Sequence, residues 1–137
     1  LPLTASVGRA EINICNKTAE TLFVLYVVPS DECESGQQEK LSLLSPTSCV
    51  TPYSASAKNE TFYYSAWSQT SDAMWDGDVG IWIPYTPVDG ADSTDNNWCM
   101  PTISCHPSSG SVCGDGELYN MRQKTPSVAN YTLSLVP

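Results

Sequence analysis

The sequence is poor in positive charge, nearly without histidine, and free of any long apolar run. Of 137 residues only 6 are Lys or Arg, against 15 Asp or Glu, and the formal net charge is −9. Nucleic acids and anionic membranes are bound through clustered Lys and Arg, and no basic run is present. Those partners are disfavoured. The longest apolar run, LFVLYVV at Leu22–Val28, is the length of a strand, well short of the roughly 18 residues that a membrane-spanning helix needs. The single histidine, His106 in SCHPSSG, sits between Cys105 and Pro107 and makes a poor general base. Hydrolysis through an activated Ser or Cys needs an imidazole that is held in place. GxSxG, Walker and GxGxxG patterns are also missing, which removes the usual signatures of acyl transfer and nucleotide binding.

What the chain does have is cysteine and glycosylation sequons. Cys15, Cys33, Cys49, Cys99, Cys105 and Cys113 are even in number and contain no CxxC pair. With so little histidine, zinc ligation is disfavoured, and a set of disulfides formed in an oxidising compartment is expected. The connectivity is open from sequence, except that two of Cys99, Cys105 and Cys113 are expected to pair across their short loop. Asn16 in NKT, Asn59 in NET and Asn130 in NYT each fit the N-glycosylation acceptor pattern. Asn97 in NWC matches a rarely used variant. The chain opens on Leu1 rather than Met, which is expected of a secreted protein whose leader has been removed.

No stretch holds helical periodicity. Strands are expected at Glu11–Cys15, Thr21–Val28, Leu41–Leu44, Thr61–Trp67, Val79–Tyr85 and Tyr131–Val136, all rich in Val, Ile, Tyr, Phe, Thr and Trp. Long polar turn segments such as PSDECESGQ, PVDGADSTDNN and HPSSGSVCGDG separate them. The fold class is therefore all-β: a disulfide-stabilised β-sandwich, Ig-like or pilin-like, with long polar loops. A small barrel is the competing architecture.

A glycan must face solvent, so the sequons also orient the strands. Asn130, Thr132 and Ser134 point outward, and Tyr131, Leu133 and Leu135 point inward. Asn59, Thr61 and Tyr63 point outward with Trp67, while Phe62, Tyr64 and Ala66 face the core. At EINICN the parity conflicts, because Asn16 shares a face with Ile12 and Ile14; the strand is expected to end or bulge at Cys15. In Leu22–Val28 both faces are apolar, which fits a strand covered on both sides or one whose second face is covered by another subunit.

Chemistry-bearing clusters are weak. Asp72, Asp76 and Asp78 lie near Trp67, Trp75 and Trp82, a composition compatible with a glycosidase cleft, but no motif selects a pair and no enzyme is expected. Asp89, Asp92 and Asp95 resemble a calcium loop only in oxygen content; the spacing is not that of an EF-hand, so neither a metal nor a cofactor is expected. Exposed Trp67 and Trp75 could stack on sugar rings, which makes a carbohydrate-binding, lectin-like module the alternative function. Trp82, between Ile81 and Ile83, reads as core.

The N-terminal segment carries the strongest signal. Residues 1–9 are an extension in which Leu1, Leu3, Ala5 and Val7 alternate with polar residues, and residues 10–137 form the domain. Burying those apolar side chains is worth about 1.5–3 kcal/mol for each Leu or Val, which offsets much of the roughly 1–2 kcal/mol per residue of backbone ordering. The segment can fold back as a hairpin through GRA at Gly8–Ala10, or project and add a strand to a neighbour's sheet. The second contact is heterologous, and such contacts build open fibres when they do not close.

INICNKT, the later PTSC, YYSAW and WDGD together resemble a family of secreted β-rich domains of unknown function. Its members run a strand into Cys-Asn-Lys-Thr, followed by Tyr-Tyr-x-Ala and a Trp-x-Gly turn. The resemblance covers the middle two-thirds of the chain and implies an extracellular β-fold with no activity attached. The N-terminal extension is similar, by analogy, to the donor strands of pilus and fibre subunits. The expected function is a secreted, N-glycosylated structural protein that self-associates into an extracellular assembly, a filament built by N-terminal strand donation.

Overall fold

Where apolar and polar residues alternate, the chain is extended, and two sheets close over the apolar sides. In a computed structural model, residues 10–84, 97–101 and 116–137 are described. Among them are ten strands and no helix: β1 (Glu11–Asn16), β2 (Leu22–Pro29), β3 (Gln37–Leu44), β4 (Cys49–Tyr53), β5 (Phe62–Ser68), β6 (Met74–Trp75), β7 (Val79–Pro84), β8 (Asn97–Cys99), β9 (Gly116–Lys124) and β10 (Asn130–Leu135). The fold is an all-β, disulfide-stabilised sandwich, as the strand spacing implied. The extension with Leu1, Leu3, Ala5 and Val7 lies outside the described residues, as do Cys105, Cys113, His106, Asp89, Asp92 and Asp95.

The smaller sheet has the order β10-β1-β4, with β1 parallel to β10 and antiparallel to β4. The larger runs β7-β9-β5-β2-β3-β8, with β6 paired to β5. Between the sheets, Ile12 and Ile14 of β1 and Leu135 of β10 pack on Leu22, Val24, Tyr26 and Val28 of β2 and on Phe62, Tyr64 and Ala66 of β5. Fully burying such side chains is worth about 1.5–3 kcal/mol each.

Leu25 and Val27, on the other face of β2, are also buried, in a second cluster with Ile83 and Met121. β2 is therefore covered on both sides within the chain, and a partner subunit is not needed to bury it. The outward parity of Tyr63 and Trp67 holds, but that outer face is itself half core: both side chains are partly buried against the second cluster.

Disulfides join Cys15 to Cys49 and Cys33 to Cys99. The first ties β1 to β4, and the second ties the β2–β3 connection to β8. Cys99 is thus bonded at long range rather than to Cys105 or Cys113. Each closed loop removes about 4 kcal/mol of entropy from the unfolded chain in the loop-closure model.

The expectation that β1 would stop or bulge at Cys15 is corrected. The strand continues to Asn16, and the irregularity lies opposite β4 between Ile12 and Ile14. The parity conflict is resolved by Asn16 going inward, where its amide is hydrogen-bonded on every side.

Candidate functional site

The strand directions give the sandwich two poles, and the residues of interest divide between them. At the basal pole the chain enters β1, where the Glu11 N–H donates to the Ala129 carbonyl at 3.1 Å. The turn before β5 packs on the same corner: Ala57 N–H donates to Ala129 and Asn59 N–H to Pro126, both at 2.9 Å. Asn59 has a left-handed backbone, φ 64°, a conformation that asparagine tolerates better than most residues. Its side chain is exposed, as is that of Asn130 at the start of β10. Two sequon asparagines therefore stand in solvent beside the point where the N-terminal segment leaves.

The third sequon lies at the opposite, apical pole and is a correction to the sequence reading. Asn16 is 0% exposed. Its Nδ2 donates to the carbonyls of Glu20 (2.7 Å), Leu44 (3.0 Å) and Ser45 (3.2 Å). Its Oδ1 accepts from the Thr18 N–H at 2.9 Å and the Thr18 hydroxyl at 2.7 Å. A sugar on Nδ2 would compete with these carbonyls, and in this fold the side chain of Asn16 is a structural latch.

The apical half of the outer face carries an apolar row. Phe23 of β2 lies opposite Leu43 of β3 on one side and Trp67 of β5 on the other. Trp67 lies opposite Met74 of β6, and its ring stacks on Tyr119 of β9 at 6.2 Å. Met74 is 58% exposed and Leu43 45%. Sequence reasoning assigned Phe23 to the second face of β2 but missed the row, because Leu43, Met74 and Tyr119 reach it only through strand pairing.

A cleft of about 350 Å³ opens beside this row, walled by Trp67, Met74 and Asp76 on one side and by Leu118, Tyr119 and Asn120 on the other. Its cause is a fork in the sheet. β9 pairs with β5 from Phe62↔Lys124 to Tyr64↔Arg122, beyond which β6 takes up the edge of β5 at Ala66 and Trp67. Gly77 closes the fork: its N–H donates to the Asn120 carbonyl at 3.2 Å, and a Cβ there would lie 2.5 Å from the Met121 oxygen. Arg122 Nε donates to the Asp76 carbonyl at 2.8 Å.

Trp67 and Trp75 do not form a common platform. Trp75 is paired with Ala66, whose side faces the inter-sheet core, and its indole N–H donates to the Val136 carbonyl at 3.2 Å. It lines a separate hollow of about 610 Å³ with Thr18, Glu20 and Arg122. Hydrogen bonds from the Ser71 and Ser68 hydroxyls hold the Glu20 carboxyl there below the usual carboxylate range. Trp67 stacks on Phe23 at 5.8 Å as well as on Tyr119, so both of its ring faces are taken. Trp82 is half-buried rather than fully core, its indole lying over Gly116.

Asp72, Asp76 and Asp78 are exposed. Among the described residues no group of His, Cys, Asp or Glu is disposed to hold a metal, and no helix is long and apolar enough to cross a membrane. Comparisons with protein-family models, curated proteins and solved structures find no match for this chain.

Proposed function

We propose that the protein is a secreted, N-glycosylated structural subunit that polymerises by donating Leu1, Leu3, Ala5 and Val7 to a sheet of the next copy. The observation that carries this reading is the filled state of β1. Every residue of β1 from Glu11 to Asn16 pairs with β10 on one side, and β4 occupies the other. Both edges of β1 are thus occupied within the domain, which supports a reading in which the apolar residues of the preceding segment are covered by another copy. The two disulfides fit an oxidising, extracellular compartment, and exposed Asn59 and Asn130 are the proposed glycan sites. The role is non-catalytic. A sugar-binding role is less well supported, because Trp67 and Trp75 lie on opposite faces of the sheet.

Deleting residues 1–8 tests the proposal. Negative-stain images and sedimentation are expected to show loss of polymers and a soluble, folded monomer. Polymers unchanged by the deletion would reject strand donation.

A further inference from the structure

We infer that the segment donated by one copy adds to the outer edge of β10 in the next. This rests on the strand-donation reading above and names the acceptor.

The hydrogen-bond ladder shows which groups of β10 are left over. β1 and β10 run parallel, so alternate residues of β10 turn their N–H and C=O toward β1 and the others turn them away. Glu11 N–H donates to the Ala129 carbonyl at 3.1 Å, and Lys17 N–H to the Leu135 carbonyl at 2.9 Å. The odd-numbered residues therefore serve β1. Asn130, Thr132 and Ser134 direct their backbone groups outward. Among the described residues no strand lies beyond them, and no bond reaches those groups. At the next outward position the Trp75 indole N–H donates to the Val136 carbonyl at 3.2 Å, which closes the apical end. The open stretch is Asn130 to Ser134.

Such an edge is a template for one more strand. The opposite edge of the same sheet, β4, contains Pro52, which has no N–H to give to a ladder. β10 contains no proline.

The side chains select the occupant. Tyr131 and Leu133 point between the sheets yet are only partly buried. A strand laid beside them must offer apolar residues inward and polar residues outward. Leu1, Leu3, Ala5 and Val7 supply the first, and Thr4 and Ser6 the second. At about 3.3 Å per residue, Leu1–Val7 is long enough to run the length of β10. The occupant is therefore the N-terminal segment of a second copy of this chain. The Asn130 side chain is exposed on the outer face of the sheet. A sugar there stands across the hydrogen-bonding direction and leaves the edge open.

Amide hydrogen exchange reads this edge directly. In polymers of the full chain, the Thr132 and Ser134 amides are expected to exchange at least about tenfold more slowly than in the chain lacking residues 1–8. Tyr131 and Leu133, already bonded to β1, are expected to be slow in both. Thr132→Pro removes one outward donor and keeps the bonds to β1; circular dichroism checks its fold. This variant retains the donor segment and is expected to be monomeric alone. Mixed with the deleted chain, it is expected to form a 1:1 pair that grows no further. A synthetic peptide of residues 1–8 is expected to slow the same two amides in the deleted chain. Leu3→Asp in that peptide is expected to weaken binding about tenfold or more.

Unaltered polymerisation of Thr132→Pro, or outward amides that exchange equally fast in polymer and monomer, would overturn the β10 site. Monomers from the deletion would in that case still uphold strand donation. Deleted chains that dimerise through β10 would give the edge to a second β10 and reject the donor segment as its occupant. Slow exchange at Thr132 and Ser134 in a monomeric full chain, or polymers from the deleted chain, would overturn both proposals.

Discussion

Glu39 is a carboxyl that burial penalises. It lies in β3 opposite Val27 of β2 and Trp98 of β8, is 4% exposed, and burial raises its pKa from 4.5 to about 7. The folded state therefore holds this proton more tightly than the unfolded chain does. Stability from this group is intact below about pH 4.5 and is lost as pH rises through about 7. The difference corresponds to about 3 kcal/mol. Chemical denaturation of Glu39→Gln and the native chain at pH 4.5 and pH 8 is expected to show the native chain losing about that much more on going to pH 8. Parallel profiles would mean that Glu39 is solvated. Nothing in QQEKLSLL marks Glu39 as buried, because its exposure is set by what pairs with β3 on either side.

At the scale of elements, the end of β1 shows how one side chain joins several segments. Asn16 binds the turn through Thr18 and Glu20 and binds the end of β3 through Leu44 and Ser45. Its backbone N–H and carbonyl meet Ser48 and Thr47 ahead of β4. Asn16→Asp would turn a carboxylate toward three carbonyl oxygens. The expected cost is about 3 kcal/mol or more at pH 7. Part of the loss relative to the native chain is expected to return at pH 4.5, where a protonated carboxyl can donate one bond. Equal stability of the two proteins in denaturant titrations would contradict the latch.

The same scale shows what was legible from the pattern. β1, β2, β5, β7 and β10 follow alternating or wholly apolar stretches rich in β-branched and aromatic residues, and they appear within a residue or two of the expected bounds. β9, GELYNMRQK, was not anticipated, since apart from Leu118 its exposed residues are polar and only Met121 is fully buried. It is a strand because β7 and β5 hydrogen-bond it from both sides. The short β4, β6 and β8 are likewise recruited by neighbours and carry little signal of their own.

For the whole molecule, the division into poles makes a prediction about sugar. The proposed secreted protein is expected to carry glycans at Asn59 and Asn130 and none at Asn16. Intact-mass measurement before and after enzymatic deglycosylation is expected to show two occupied sites, and the Asn59→Gln, Asn130→Gln double variant none. A sugar found on Asn16 of the folded protein would contradict its buried geometry.

The sequence by itself determined that the chain is all-β and cross-linked, and it set which side of most strands faces inward. Those properties follow from local residue chemistry: period-two alternation, β-branched side chains and paired cysteines. Only the tertiary structure decided that Asn16 is a latch, that Cys99 bonds to Cys33, that Trp67 and Trp75 part to opposite faces, and that an apolar row crosses the outer sheet. Each of these depends on which strands become neighbours, and that pairing is fixed by the closing of the two sheets over their shared core.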